Sequence, residues 1–228
     1  MTLSNRWHKF RGLERENFWI LRALLLDPKL GNSGVLIGGW SIGAPLYVML
    51  NLLLSRHDNL SVIEFGSGES SHFIQDVAER HPSKVRRHVV IEHDAQFAQR
   101  LMDKGVDVRI VPLTKMKGGC RYDVQAKSLI SDIPFNVFII DGPFGSSRLS
   151  RNNIFDFIEA NLIPEDFVII IDDIHRVGER ESEMMVMKQL RKAGYEPIRR
   201  RYRGLKMCTV IAPKSSGFSH LCGYAAHD

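Results

Sequence analysis

Short apolar runs separated by segments of helical period constrain this chain more than any other feature. Residues 60–65, 88–92, 106–111, 136–141 and 166–172 are rich in β-branched or aromatic side chains and largely apolar on consecutive positions. A strand buried on both faces reads this way. Helical patterns lie between them at 71–80, 95–104 and 153–161, and a further one, 181–193, follows the last run. Such alternation predicts a mostly parallel sheet with helices on both faces. "YEPIRRRYRGLKMCTVIAP", residues 195–213, then changes the habit. It predicts two strands joined near Arg203-Gly204, an antiparallel hairpin closing the sheet.

The 228 residues, 44% hydrophobic, can bury one full core. Between Lys29 and Arg56 no residue is charged, and a membrane helix needs only about 20 apolar residues. Asn32, Ser33, Ser41 and Asn51 are polar, however, five glycines loosen the segment, and Pro45 suits the first turn of a helix. The expectation is a buried helix over 45–55 and no membrane span. Arg6, His8, Lys9, Arg11, Glu14, Arg15 and Glu16 precede any hydrophobic run, which argues against a secretory signal. Cys120, Cys208 and Cys222 are odd in number and lack metal-ligand spacing, so a reducing, cytoplasmic setting is expected. The net charge of +5 is too mild to indicate nucleic acid by itself.

"VIEFGSGESSHF", residues 62–73, ends the first strand and opens the first crossover helix. In open α/β sheets ligands bind outside the carboxyl ends of the strands, where helix N-termini offer unpaired N–H groups. Gly66 and Gly68 remove Cβ atoms where a ligand would approach, although a glycine turn after a strand also serves structure alone. The second strand ends in Glu92, about 24 residues after Gly68, where a carboxylate can accept hydrogen bonds from ribose hydroxyls. A dinucleotide and S-adenosylmethionine both carry that ribose. The dinucleotide reading lacks its last glycine, since Ser71 stands there, and Glu64 would repel a pyrophosphate but could meet a cationic ligand. The terminal hairpin does not suit a second mononucleotide-binding half either.

"VIEFGSGES", "VVIEHDAQFA", "FNVFIIDGPFG" and "FVIIIDDIHR" together resemble the strand ends of a class I S-adenosylmethionine-dependent methyltransferase, over about residues 40–213. The resemblance implies a Rossmann-like seven-stranded sheet ending in an antiparallel strand. It implies that Glu64, Gly66, Gly68 and Ser70 shape the methionine pocket, that Glu92 holds the ribose, and that His93 lies beside the adenine. The chain is expected to divide into a helical cap at 1–44, the methyltransferase domain at 45–213 and a loose tail at 214–228.

Asp141 ends the fourth run and Asp172 with Asp173 the fifth, so three carboxylates converge above the sheet in this reading. Hard oxygen ligands suit Mg²⁺ or another octahedral cation. The set resembles the metal site of catechol O-methyltransferase-like enzymes, with Asp173 where that family has an asparagine. The other reading makes Asp172 or Asp173 a helix cap and Asp141 an anchor of the Gly142-Pro143 turn. With a metal, coordination lowers the pKa of an acceptor hydroxyl. Without one, His93 or His175 is the candidate base, and each is equally readable as a surface residue. His72 reads as a solvated or packing residue.

Arg148 and Arg151 in "GSSRLSR" could pair with a carboxylate or phosphate of a substrate, or be solvated. Arg199, Arg201 and Arg203 share one face of a hairpin strand, as an anion-binding stripe or as protection for a sheet edge. Residues 18–26 read as an amphipathic helix that, with "GGWSIGAP" at 38–45, caps the cleft, and Trp40 lines the substrate side or packs in the core. The leading expectation is methyl transfer to a hydroxyl of a small molecule or glycan, anionic in the reading that gives the loop arginines a partner. A nucleic-acid methyltransferase rests on the arginine hairpin alone, and the third alternative is a binding module without turnover.

Overall fold

The computed structural model describes residues 14–15, 17–19, 21, 37, 42–130 and 133–223. Helix α1 (Ala44–Arg56) has Pro45 in its first turn and is buried from Ala44 to Leu54, as a helix apolar on every side must be. There follow β1 (Leu60–Phe65), α2 (Glu69–Arg80), β2 (Val85–Glu92), α3 (Ala95–Met102), β3 (Asp107–Ile110), β4 (Leu113–Met116) and β5 (Gly119–Tyr122). The chain continues through α4 (Ala126–Leu129), β6 (Val137–Ile140), α5 (Ile154–Glu159), β7 (Val168–Ile171) and α6 (Val177–Lys192). Strands β8 (Pro197–Arg203) and β9 (Met207–Pro213) and the short helix α7 (His220–Gly223) complete it.

Seven strands form one sheet in the order β3-β2-β1-β6-β7-β9-β8. The first five of that order are parallel, and β9 runs antiparallel to both β7 and β8. The fold is therefore α/β and mostly parallel, with helices on both faces and the antiparallel hairpin at its end. Consecutive apolar residues serve opposite faces. Leu60, Val62, Val137, Ile139, Val168 and Ile170 pack with α1, α2 and α7. Ile63, Phe65, Phe138, Ile140, Ile169 and Ile171 pack with α5 and α6.

Three differences from the expected elements have identifiable causes. The hairpin β4–β5 was not foreseen, because its strands are short, mostly half-exposed or exposed, and carry no apolar alternation. Helix α6 starts at Val177 rather than at 181, its first turn fixed by tertiary contacts of Glu179 and not by periodicity. Residues 214–223, expected as a loose tail, are packed: Phe218, Leu221 and Cys222 are buried in the α1 layer, and Ser216 donates to Asp166 at 2.5 Å.

Trp19 is buried, donates from Nε1 to the carbonyl of Arg203 at 2.8 Å and meets Tyr202 edge-on at 5.5 Å. It thus packs on the hairpin, while Phe18 and Leu21 are exposed. Trp40, and most of the expected cap over 1–44, lie outside the described residues. No described helix is long and apolar enough to cross a membrane.

Candidate functional site

Strand β1 leads through α2 to β2 on one side, while β6 pairs with its other side. This is the topological switch point at which open α/β sheets receive ligands. Parallel pairing carries the strand ends to one level: Gly66 donates to Ile91, Asp141 to Phe65 and Asp172 to Ile140. The turns after β1 and β6 then touch. Gly66 has φ +96°, and a Cβ on it would lie 2.8 Å from the Gly142 nitrogen. A Cβ on Gly142 would lie 2.7 Å from the Gly66 Cα. Gly66 is therefore required by its partner turn, a structural cause rather than the approach of a ligand. Gly68 differs: its backbone is extended at φ 176°, and a Cβ there would meet nothing within 4 Å.

A cavity of about 620 Å³ opens above these turns. Ser67, Glu92, His93 and Phe97 line the β2 end, and Asp141, Phe144, Arg151, Asp173, Arg176 and Lys206 the β6–β7 end.

Glu92 is 5% exposed and builds the first end from within. One carboxylate oxygen accepts from the Ser67 N–H at 2.8 Å and the Ser67 hydroxyl at 2.7 Å, the other from the N–H groups of His93 and Asp94 at 2.6 and 2.9 Å. Burial alone would raise its pKa, but the hydrogen bonds from Asp94, Ser67 and His93 outweigh it and hold the carboxyl below its ordinary value. His93 Nδ1 sits 2.7 Å from Glu92, its ring edge-on to Phe144 at 5.0 Å. Asp94 caps α3, accepting from Gln96 at 2.8 Å.

Glu64 departs from expectation. It is fully buried, its oxygens accept from the hydroxyls of Ser70 and Ser71, and His88 Nε2 stands 3.4 Å away. Glu64 and Ser70 therefore anchor the start of α2 from beneath, and neither lines the cavity.

The three aspartates do converge. Carboxylate oxygens of Asp141, Asp172 and Asp173 lie within 4.8 Å of one another. Asp141 and Asp173, however, share a partner in Arg151, which is 5% exposed. Its Nη1 is 3.1 Å from Asp141 Oδ1, and its Nη2 is 3.0 Å from Asp173 Oδ2. The same guanidinium donates to the carbonyls of Pro143 and Asp172, each at 3.3 Å. A divalent cation does not fit among donors already committed in this way. The capping reading also fails, because α6 begins at Val177 with Arg176 before it and no side-chain cap, and both Asp172 oxygens lack a hydrogen-bond partner. Burial pushes Asp172 up to about 8, reinforced by Asp141 and Asp173. Asp141 is pushed up to about 6, burial again leading and Arg151 opposing it. Both shifts belong to one coupled cluster.

His175 does not join the site. Its side chain is 40% exposed, Nδ1 is 4.0 Å from Asp173, and burial lowers its pKa. Arg148 pairs with Glu181 at 2.9 Å on the outer face. Two arginines of the hairpin stripe are used internally as well: Arg199 reaches the fully buried Glu183 of α6 at 3.2 Å, and Arg201 Nε donates to it at 2.9 Å, while Arg203 is exposed. Sequence reasoning missed Phe97, Phe144, Arg176 and Lys206 as cavity walls. For the aromatics the available signal was their place one turn beyond a strand end, and exposures of 53% for Phe97 and 69% for Phe144 mark them in the structure.

No family model matches the chain, and no curated protein does. Solved structures are similar in the course of the chain. One is methyltransferase FkbM from Methylobacillus flagellatus KT, with TM-score 0.47, 12% identity, and 84% of this chain and 59% of that chain covered. A precorrin-6y C5,15-methyltransferase from Geobacter metallireducens GS-15 gives 0.45 and 17%, covering 74% and 86%. An rRNA methylase from Streptococcus thermophilus gives 0.45 and 10%, covering 78% and 98%. A precorrin and a ribosomal RNA are different acceptors, and the likeness selects neither.

Proposed function

We propose that this chain transfers a methyl group from S-adenosylmethionine to a hydroxyl of a small molecule or sugar. The observation that carries the reading is one cavity at the switch point of the sheet with Glu92 at one end and the half-exposed Asp141 at the other. The residues fit the cofactor. Gly66 and Ser67 line the cavity beside Glu92, and the Ser67 hydroxyl on Glu92 is a partner that a ribose hydroxyl can replace without breaking a backbone bond. When bound, the cofactor supplies an electrophilic methyl on a cationic sulfur. The far wall carries both signs, Asp141 and Asp173 against Arg151, Arg176 and Lys206. Asp141 is the group placed to accept the acceptor's proton, because it lines the cavity and its raised pKa lies near the working range of a general base. His93 is engaged with Glu92 at the opposite end, which suits a binding role rather than that of base. Phe144, exposed over the cavity, offers an apolar face to the acceptor.

Calorimetry with S-adenosylmethionine and with NAD separates the cofactors: binding of the first alone is expected, and binding of NAD alone would sink the reading. Glu92→Ala should weaken S-adenosylmethionine by about 1.5–3 kcal/mol, as for a hydrogen bond to a charged group. Tight cofactor binding with no methyl transfer across a panel of hydroxylated metabolites and sugars would leave a binding module instead.

A further inference from the structure

We propose that Arg151 is the resident cation of the aspartate cluster, occupying the place that the ends of β6 and β7 offer to a divalent metal. The carboxylates approach closely enough to share an octahedral ion. Arg151 instead lies within 3.1 Å of both Asp141 and Asp173, and its Nε stands 3.7 Å from the fully buried Glu179. A guanidinium is always charged and presents five donors in a rigid plane, so it can serve two carboxylates and two carbonyls together. An incoming metal would have to expel it and leave a buried charge unpaired, which is strongly unfavourable.

The loop that delivers Arg151 is fastened from outside the cluster. Leu149 donates to Glu181 at 3.0 Å, Ser182 to the Ser150 carbonyl at 2.5 Å, and the Ser146 N–H to the Ser150 hydroxyl at 3.1 Å. Arg151 itself has φ +56°, a conformation that a long side chain adopts only when its surroundings enforce it. Arg151 also lines the cavity, so its charge faces any oxygen that approaches Asp141, as a metal's would. The assignment of the cation is independent of the methyl-transfer reading, since it concerns the cluster without ligand.

Mn²⁺ binding to the full chain, followed by electron paramagnetic resonance without cofactor, tests it. Wild-type protein is expected to show no saturable uptake. Arg151→Met vacates the position and should bind Mn²⁺ at least about tenfold more tightly than wild type, an affinity lost again when Asp173→Asn is added. Stoichiometric uptake by wild type that disappears in Asp173→Asn would overturn the proposal, as would a folded Arg151→Met that takes up no Mn²⁺. Should Arg151→Met fail to fold, thermal unfolding of wild type decides. Equal midpoints in EDTA and in Mn²⁺ are expected, and a midpoint raised by Mn²⁺ through Asp173 overturns it.

Discussion

Asp172 shows what a residue's type does not reveal. It is 1% exposed, neither oxygen has a hydrogen-bond partner, and burial with its two acidic neighbours pushes its pKa from 3.8 to about 8. A carboxyl whose folded-state pKa is raised favours the folded state in its protonated form, so its contribution is fully present below the unfolded value and is lost as pH rises towards the folded one. Asp172→Asn removes that loss. The unfolding midpoint of the variant, relative to wild type, should therefore climb between about pH 4 and about pH 8. A difference independent of pH would mean that the carboxylate is stabilised by a partner. Asp172 and Asp173 adjoin in sequence yet differ in fate, because only the Asp173 carboxylate receives Nη2 of Arg151.

At the scale of elements, the turn from β1 to α2 separates two glycines that look alike in sequence. Gly66→Ala combines a positive φ with a collision against the turn after β6, and should cost about 1–3 kcal/mol in urea unfolding. Gly68→Ala meets open space at an extended backbone, so stability should change by no more than about 0.5 kcal/mol. Equal destabilisation by the two would contradict this division. The hairpin teaches the same lesson with charge. The alternation of Arg199 and Arg201 on one strand face was readable, but their occupant, Glu183, comes from a helix whose register the strand cannot report.

Over the whole molecule, the segment after β9 closes the layer on α1. Phe218 is 2% exposed, lies tilted against the His57 ring at 4.5 Å and shares its cluster with Leu50 and Leu54. Tyr202, buried in β8, donates its hydroxyl to the carbonyl of Leu221. Phe218→Ala should thus destabilise the chain by about 3–5 kcal/mol, the cost of truncating a buried phenylalanine. A loss below about 1 kcal/mol in denaturant unfolding would restore the reading of a loose tail.

What the sequence by itself determined is the sheet, its helices on both faces, the crevice after β1 and the acids at the strand ends. Periodicity and strand-end chemistry are local, and burial on two faces writes itself into consecutive residues. The tertiary structure alone decided the partner of each charged group. Glu64 went to Ser70, Ser71 and His88 beneath α2, Glu92 to the backbone around its own strand end, and Asp141 and Asp173 to Arg151 rather than to a metal. A buried charge is stabilised by whichever donor the folded chain brings within hydrogen-bond reach. For Asp173 that donor lies 22 residues away along a loop fastened by α6, and no spacing rule within one element contains it.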